Sequence, residues 1–109
     1  MKGEQAEVRA LEFLLARGYV LVERNYRVPG AEIDLILKKE EQWVFVEVKH
    51  RSRQGFGQAI ETISPFKAAR VRRAALVYLG QDDLPCRFDV VAIDGDVDEG
   101  QLRWIQDAF

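Results

Sequence analysis

The chain has 109 residues, 48% of them hydrophobic and 31% charged, which is typical of one compact soluble domain spanning residues 1–109 and excludes a disordered chain. Cys86 and His50 are the only residues of their kinds, which excludes an intrachain disulfide and a cysteine-based zinc site and nearly excludes a histidine-dependent catalytic triad. Any catalysis is therefore expected to depend on carboxylates, lysine and a bound metal ion.

The N-terminal residues contain no apolar run that resembles a signal peptide. No later stretch approaches the roughly 18–20 apolar residues of a membrane span. We therefore expect a cytoplasmic protein with no membrane partner.

Charge is distributed unevenly along the chain. The formal net charge is −2, but residues 49–73 carry seven positive side chains and one negative, whereas residues 82–109 carry two positive and eight negative. A basic segment of this kind suits contact with the phosphate backbone of a nucleic acid. The alternative is the solvated face of a helix, which is the usual role of a charge run.

Residues 3–17 are predicted to form the first helix. Val8, Leu11 and Leu15 recur at spacings that place them on one apolar stripe. Glu4 lies four residues before Val8 and so begins that stripe, from which a carboxylate can reach across a sheet edge toward a metal ion. The alternative for Glu4 is a first-turn acid favoured by the helix dipole.

Three strands are predicted next, at residues 19–28, 31–37 and 43–51, because β-branched and aromatic residues dominate each stretch. The connections between them are short, which predicts a meander. Such a meander needs helices to cover at least one of its faces.

A turn between the second and third strands fixes how their side chains face one another. Centred on Glu40 and Glu41, it predicts three opposed pairs: Leu37 with Val44, Asp34 with Glu47, and Glu32 with Lys49. Opposed carboxylates repel at the roughly 4.5–5.5 Å between their Cβ atoms, so they need a counter-ion. Lys49 supplies part of the positive charge, and a divalent cation bridging Asp34 and Glu47 would supply the rest.

The alternative is that these charges lie on the solvated face of an antiparallel hairpin, which is common. Against it, Ile36 and Phe45 fall on the same face as the charges. A face that mixes large apolar and charged residues is expected to be partly buried, where charges need pairing or metal.

The next segment is predicted to connect the hairpin to a second helix. Residues 52–58 form a polar, glycine-containing loop, which either closes over a neighbouring site or is a plain surface connection. The helix is predicted at residues 65–79, because Ser64 is a good cap and proline is favoured at the first helical position. One side of it is apolar, and another carries three basic residues at three-residue spacing: Lys67, Arg70 and Arg73.

A fourth strand is predicted at residues 84–94 and a final edge strand at residues 102–109. A strand that follows a helix suggests a crossover connection, which would make the sheet mixed. Asp89 on the fourth strand is a further candidate for supporting the site. The acidic C-terminal segment is assigned no chemistry.

This order of elements, with Asp34 on the second strand and Glu47-x-Lys49 on the third, resembles the restriction-endonuclease-like nucleases and their D…(D/E)-x-K signature. More narrowly, residues 32–36, 44–51 and 87–91 look like the YraN-like family of small uncharacterised proteins (uncharacterised protein family 0102), related in fold to archaeal Holliday-junction resolvases. The resemblance implies an α/β, restriction-endonuclease-like fold, in which helices flank a mixed central sheet.

The resemblance also implies roles for individual residues. Asp34 and Glu47 would hold Mg²⁺ or Mn²⁺ with the main-chain carbonyl of Val48, and Lys49 would orient or help deprotonate the attacking water. Two more acids would support them: Glu4 and Glu32. Phosphate contacts are expected from five basic residues: Arg51, Arg53, Lys67, Arg70 and Arg73.

The function expected is therefore metal-dependent hydrolysis of DNA, with branched or structured DNA as the favoured substrate. Dimerisation would suit a small protein that cuts two strands. Two alternatives stay open: a nucleic-acid-binding or adaptor domain that keeps the fold without cleaving, and an interaction protein unrelated to nucleic acid.

Overall fold

The computed structural model describes residues 2–51 and 63–109. Within them, two helices and five strands follow in the order α1 (Lys2–Leu15), β1 (Val20–Val28), β2 (Ala31–Lys39), β3 (Gln42–Arg51), α2 (Pro65–Leu79), β4 (Cys86–Asp94) and β5 (Gln101–Ile105). Every predicted helix and strand is present, although α1 and β5 end earlier than predicted. Neither of these helices has the length and apolar character needed to cross a bilayer.

The strands form one sheet in the order β1-β2-β3-β4-β5. Neighbouring strands are antiparallel except β3 and β4, which are parallel. The parallel pair follows from a crossover connection. Helix α2 lies between β3 and β4 in the chain and carries the chain back to the end of the sheet where β3 began, so β4 runs in the same direction as β3. The prediction of an α/β protein with a mixed sheet is confirmed.

The β2–β3 hairpin has the predicted register over its first part. Its ladder includes the pair Leu37–Val44 and ends at the pair Leu35–Val46. The predicted pairs Asp34–Glu47 and Glu32–Lys49 continue the same register but lie beyond the end of this ladder, so neither is one of its pairs. On the other side of β2, Glu32 is paired with Arg27 of β1. The ladder between the two central strands therefore ends one residue before Asp34 and Glu47.

Helix α2 matches its prediction closely and covers one face of the sheet. The Ser64 side chain caps it by accepting a hydrogen bond from the Lys67 backbone N–H at 3.1 Å, and Gly80, at φ +73°, ends it. Its buried residues are mostly small, so the helix can lie close to the strands: Ala68, Val71, Ala74 and Ala75. Ile36 and Phe45 of the central strands pack against this helix.

Helix α1 packs against the sheet through a stripe that shares Leu11, which is partly buried against the core, with the predicted one but otherwise differs from it. Its buried residues are Ala6, Ala10 and Leu14, whereas Val8 and Leu15 are 38% and 45% exposed. The prediction followed the largest apolar side chains, but alanine lets a helix backbone approach a sheet more closely than valine or leucine does. The correct stripe is therefore one position away from the predicted one, which also changes which glutamate of α1 faces the sheet.

A candidate acidic site between two strands and a helix

The site lies where β2 and β3 part, beneath the start of α2. Asp34, Glu47 and Glu32 line one hollow of about 330 Å³ together with Lys67 and Arg70. Ile36 and Phe45 are fully buried beside α2, which holds both strands against the helix at this point. The charged residues next to them along each strand are therefore kept in a partly enclosed position, as the mixture of apolar and charged residues predicted.

Asp34 is a buried carboxyl group, 8% exposed. Its Oδ2 accepts a hydrogen bond from the backbone N–H of Val48 at 2.8 Å, which bridges the parted strands. Burial first, and the charge of Glu47 second, raise the pKa of Asp34 to about 7. Two carboxylates are thus held close enough to repel each other in a position that water reaches poorly.

Glu47 is buried to the same extent, and its charge is balanced from α2. Its Oε1 accepts a hydrogen bond from the Lys67 ammonium at 2.7 Å, in an ion pair whose lysine side chain is 40% exposed. The phosphate-binding role predicted for Lys67 did not anticipate this contact. Lys67 lies 20 positions after Glu47 in the chain, so the acidic pair is covered by a lysine from helix α2.

Lys49 lies next to Lys67 and is half-buried. Burial first, and the charge of Lys67 second, lower the pKa of Lys49. A lysine whose pKa is lowered releases its proton more readily, which makes Lys49 a candidate for a general base.

Glu7 of α1 is the residue that the sequence prediction missed. It is half-buried, lies 3.9 Å from the Arg24 guanidinium and contributes to the raised pKa of Asp34. Burial also raises the pKa of Glu7 itself, against a hydrogen bond from Asn25. The signal that could have found it is the alanine spacing at positions 6 and 10, which turns Glu7 toward the sheet.

The two predicted supporting acids lie further out. Glu4 is exposed and lines a neighbouring depression with Glu7 and Glu32, rather than the hollow that contains Asp34. Glu32 lines both and is hydrogen-bonded to Arg27 across β1 and β2. The structure therefore places Glu32 at the rim of the hollow and Glu4 outside it.

The four arginines that were predicted to contact phosphate lie in three different parts of the chain. Arg70 lines the hollow, and the exposed Arg73 lies on the same helix with its guanidinium beside Gly30. Arg51 is half-buried at the end of β3, in register with Asp94 of β4. Arg53 and the predicted loop at residues 52–58 lie outside the described residues.

Asp89 does not belong to this site. It is fully buried and accepts hydrogen bonds from Arg87, the Trp104 indole and the Asp107 backbone N–H. The tyrosine hydroxyl of Tyr19 receives another hydrogen bond from Arg87. The prediction that Asp89 supports the acidic pair is replaced by a structural role that ties β4 to the C-terminal segment.

The acidic residues of the hollow provide the oxygen donors that a metal ion would need. Across residues 2–51 and 63–109, no group of three or more His, Cys, Asp or Glu side chains is placed to hold an ion. Mg²⁺, however, commonly binds through one or two carboxylates and completes its shell with water and substrate phosphate. Asp34 and Glu47 fit that smaller requirement, because they are oxygen donors that face each other in an open hollow.

The fold and the site together define an α/β protein with a mixed sheet. Where its two central strands part, a hollow contains two buried carboxylates that repel each other and are flanked by lysines. The chain belongs to the uncharacterised protein family UPF0102, which residues 6–93 match. Similar proteins, each called UPF0102 protein, occur in Shewanella loihica (50% identity, 99% of this chain and 93% of the relative) and Nitrosococcus oceani (46% identity, 99% and 90%). One from Shewanella baltica is 46% identical over 98% of this chain and 97% of its own length.

Proposed function

We propose that this protein is a metal-dependent nuclease of the restriction-endonuclease-like type that hydrolyses phosphodiester bonds in DNA. The observation that carries the proposal is the Asp34–Glu47 pair, buried in one hollow with Lys49 two residues beyond Glu47. A buried carboxyl group with a raised pKa that shares a cleft with a second carboxylate and a lysine is typical of sites that bind charge and transfer protons. A solvated hairpin face would have neither the burial nor the raised pKa of Asp34.

In this proposal the chain's own residues have separate tasks. Asp34 and Glu47 would hold Mg²⁺ or Mn²⁺, with Val48 as a main-chain ligand, and the ion would supply charge to polarise a phosphate and lower the pKa of water. Lys49 orients the attacking water or accepts its proton, since burial lowers the pKa of its amine. Glu7 takes the supporting role first assigned to Glu4, while Arg70 and Arg73 bind the phosphate backbone.

The exposed ring of Phe66 supports a preference for DNA with unpaired bases. Phe66 is 78% exposed and lines the hollow beside Lys67 and Arg70. An aromatic ring beside positive charge can stack on an unpaired base, and such stacking is worth about 1–3 kcal/mol per base. We expect Phe66→Ala to weaken binding to a flap or junction about tenfold, with binding to duplex DNA nearly unchanged, in a fluorescence anisotropy titration.

The direct test is cleavage of labelled junction, flap and duplex DNA by purified protein with Mg²⁺ or Mn²⁺. Asp34→Asn and Lys49→Ala should each reduce the rate at least about 100-fold, because each removes a group that acts on the reacting phosphate. Glu41→Gln is the matched control, since it removes an exposed carboxylate from the tip of the same hairpin.

Three outcomes separate the alternatives. Cleavage that disappears in both site variants and survives in the control supports the nuclease. Salt-sensitive DNA binding without cleavage under any metal supports the non-cleaving adaptor instead. Absence of both contradicts the proposal and leaves an interaction protein unrelated to nucleic acid.

A further inference from the structure

The ion pair between Lys67 and Glu47 is unusual for a proposed catalytic carboxylate, because it already satisfies the charge that a metal ion would satisfy. Glu47 is fixed on β3, which pairs on both sides with other strands. Its side chain is 9% exposed, and its Oε1 lies 2.7 Å from the Lys67 ammonium. A cation that binds Glu47 must therefore meet this ammonium.

The ammonium of Lys67 can move without disturbing helix α2. Its backbone N–H is held by the Ser64 hydroxyl at 3.1 Å, so the base of the side chain is fixed at the start of α2. The flexible four-carbon chain beyond it is 40% exposed and borders the hollow. The ammonium can leave Glu47 and still remain within the same hollow, where Arg70 also lies and is exposed to solvent.

Lys49 gives a second reason for the ammonium to move. The two amines lie together, and each raises the cost of the other's positive charge. A divalent ion at Glu47 would add a third cation to this group. Repulsion would then favour the position of Lys67 that is furthest from the carboxylates and nearest to a bound phosphate.

We propose that Lys67 is an exchangeable counter-ion, which neutralises Glu47 in the metal-free protein and is displaced by the divalent cation to bind a substrate phosphate. The inference rests on the proposed nuclease function. It makes Lys67 a substrate-binding residue whose availability depends on the metal ion, whereas a permanent structural ion pair would not link metal binding to DNA binding.

The first test measures Mn²⁺ affinity without DNA, by electron paramagnetic resonance of the free ion. Lys67→Met should bind Mn²⁺ about tenfold more tightly than the wild type, because no charged hydrogen bond has to be broken first. Arg70→Met is the matched control: it removes a positive charge from the same hollow and the same helix, and its Mn²⁺ affinity should change less than about twofold. Lys67→Gln, which keeps a hydrogen-bond donor without the charge, serves as a second variant if Lys67→Met folds poorly.

The second test measures DNA affinity with Ca²⁺ or with a chelator, under conditions without cleavage. Lys67→Met should weaken DNA binding about fivefold in Ca²⁺ and leave it unchanged in chelator, because only the displaced ammonium can reach a phosphate. Arg70→Met should weaken binding in both conditions. A Lys67 variant that loses affinity equally in both would overturn the inference.

The outcomes distinguish the two proposals. If the wild type and both Lys67 variants bind Mn²⁺ equally, Lys67 is a fixed structural partner and the inference is wrong, while the nuclease proposal stands. If none of the three proteins binds Mn²⁺ even at millimolar concentration, the proposal of a metal site is wrong. The proposed exchange of Lys67 for the cation is then wrong as well.

Discussion

Asp89 and Asp34 are both buried carboxyl groups of the same sheet, on β4 and β2, but their surroundings differ. Asp89 accepts four hydrogen bonds, two of them from the Arg87 guanidinium. Asp34 accepts one from Val48, counted over the part of the chain that the structure describes, and it faces a second carboxylate. Hydrogen bonds from the protein fully compensate the charge of Asp89, whereas Asp34 can still bind a ligand.

The largest effect is expected when the compensated carboxylate is removed. Asp89→Ala would leave the half-buried Arg87 cation and the Trp104 indole without their shared acceptor, which should lower the free energy of unfolding by about 3–5 kcal/mol. Urea titration followed by tryptophan fluorescence measures this loss. A change below about 1 kcal/mol would show that the two carboxylates are not as different as their contacts indicate.

The opposite effect is expected at Asp34, whose ionised carboxylate should lower the free energy of unfolding. Because the pKa of Asp34 is raised from 3.8 to about 7, the folded protein keeps a proton that the unfolded chain has released between these pH values. The free energy of unfolding should therefore fall as pH rises from about 4 to about 7, by up to about 4 kcal/mol at 1.36 kcal/mol per pKa unit.

Asp34→Asn should abolish that slope and, in the presence of chelator at pH 8, be more stable than the wild type by about 2 kcal/mol. The measurement is urea denaturation at several pH values with the metal chelated. Glu41→Gln should retain the slope of the wild type. Destabilisation by Asp34→Asn at pH 8 would indicate that Asp34 is a structural carboxylate like Asp89.

A smaller effect should distinguish the two glutamates of α1. Glu7→Gln is expected to reduce the rate of DNA cleavage about tenfold or more, because Glu7 acts electrostatically on Asp34 and groups that support a metal ligand are commonly worth that much. Glu4→Gln, one turn earlier and exposed, should reduce it less than about twofold. The reverse order of effects would favour the original assignment of Glu4.

Where the sequence predictions held, the signal was local. The bounds of α2 follow from Ser64, Pro65 and the glycine at position 80, because caps act within one turn of a helix. The register of the β2–β3 hairpin follows from its short turn. Alternating apolar and charged residues also indicated that Asp34 and Glu47 share a partly buried face.

Where the predictions failed, the answer depended on packing between distant elements. The buried stripe of α1 is set by how closely alanine lets the helix approach the sheet, which hydrophobicity alone does not reveal. The partner of Lys67 lies on another strand, and the partners of Asp89 come from β4, β5 and the chain that follows them. Apart from the pairing of Arg87 with Asp89, two positions apart on β4, no spacing within one element could have identified these contacts.

The crossover of α2 also bears on the order in which the protein folds. The β2–β3 hairpin joins residues close together in the chain, whereas Lys67 reaches Glu47 only after α2 has docked. Local contacts close faster because they lose less chain entropy, so the two carboxylates should meet before their counter-ion arrives. In stopped-flow refolding with chelator, the wild type should fold faster at pH 5 than at pH 8, and Asp34→Asn should remove most of that difference.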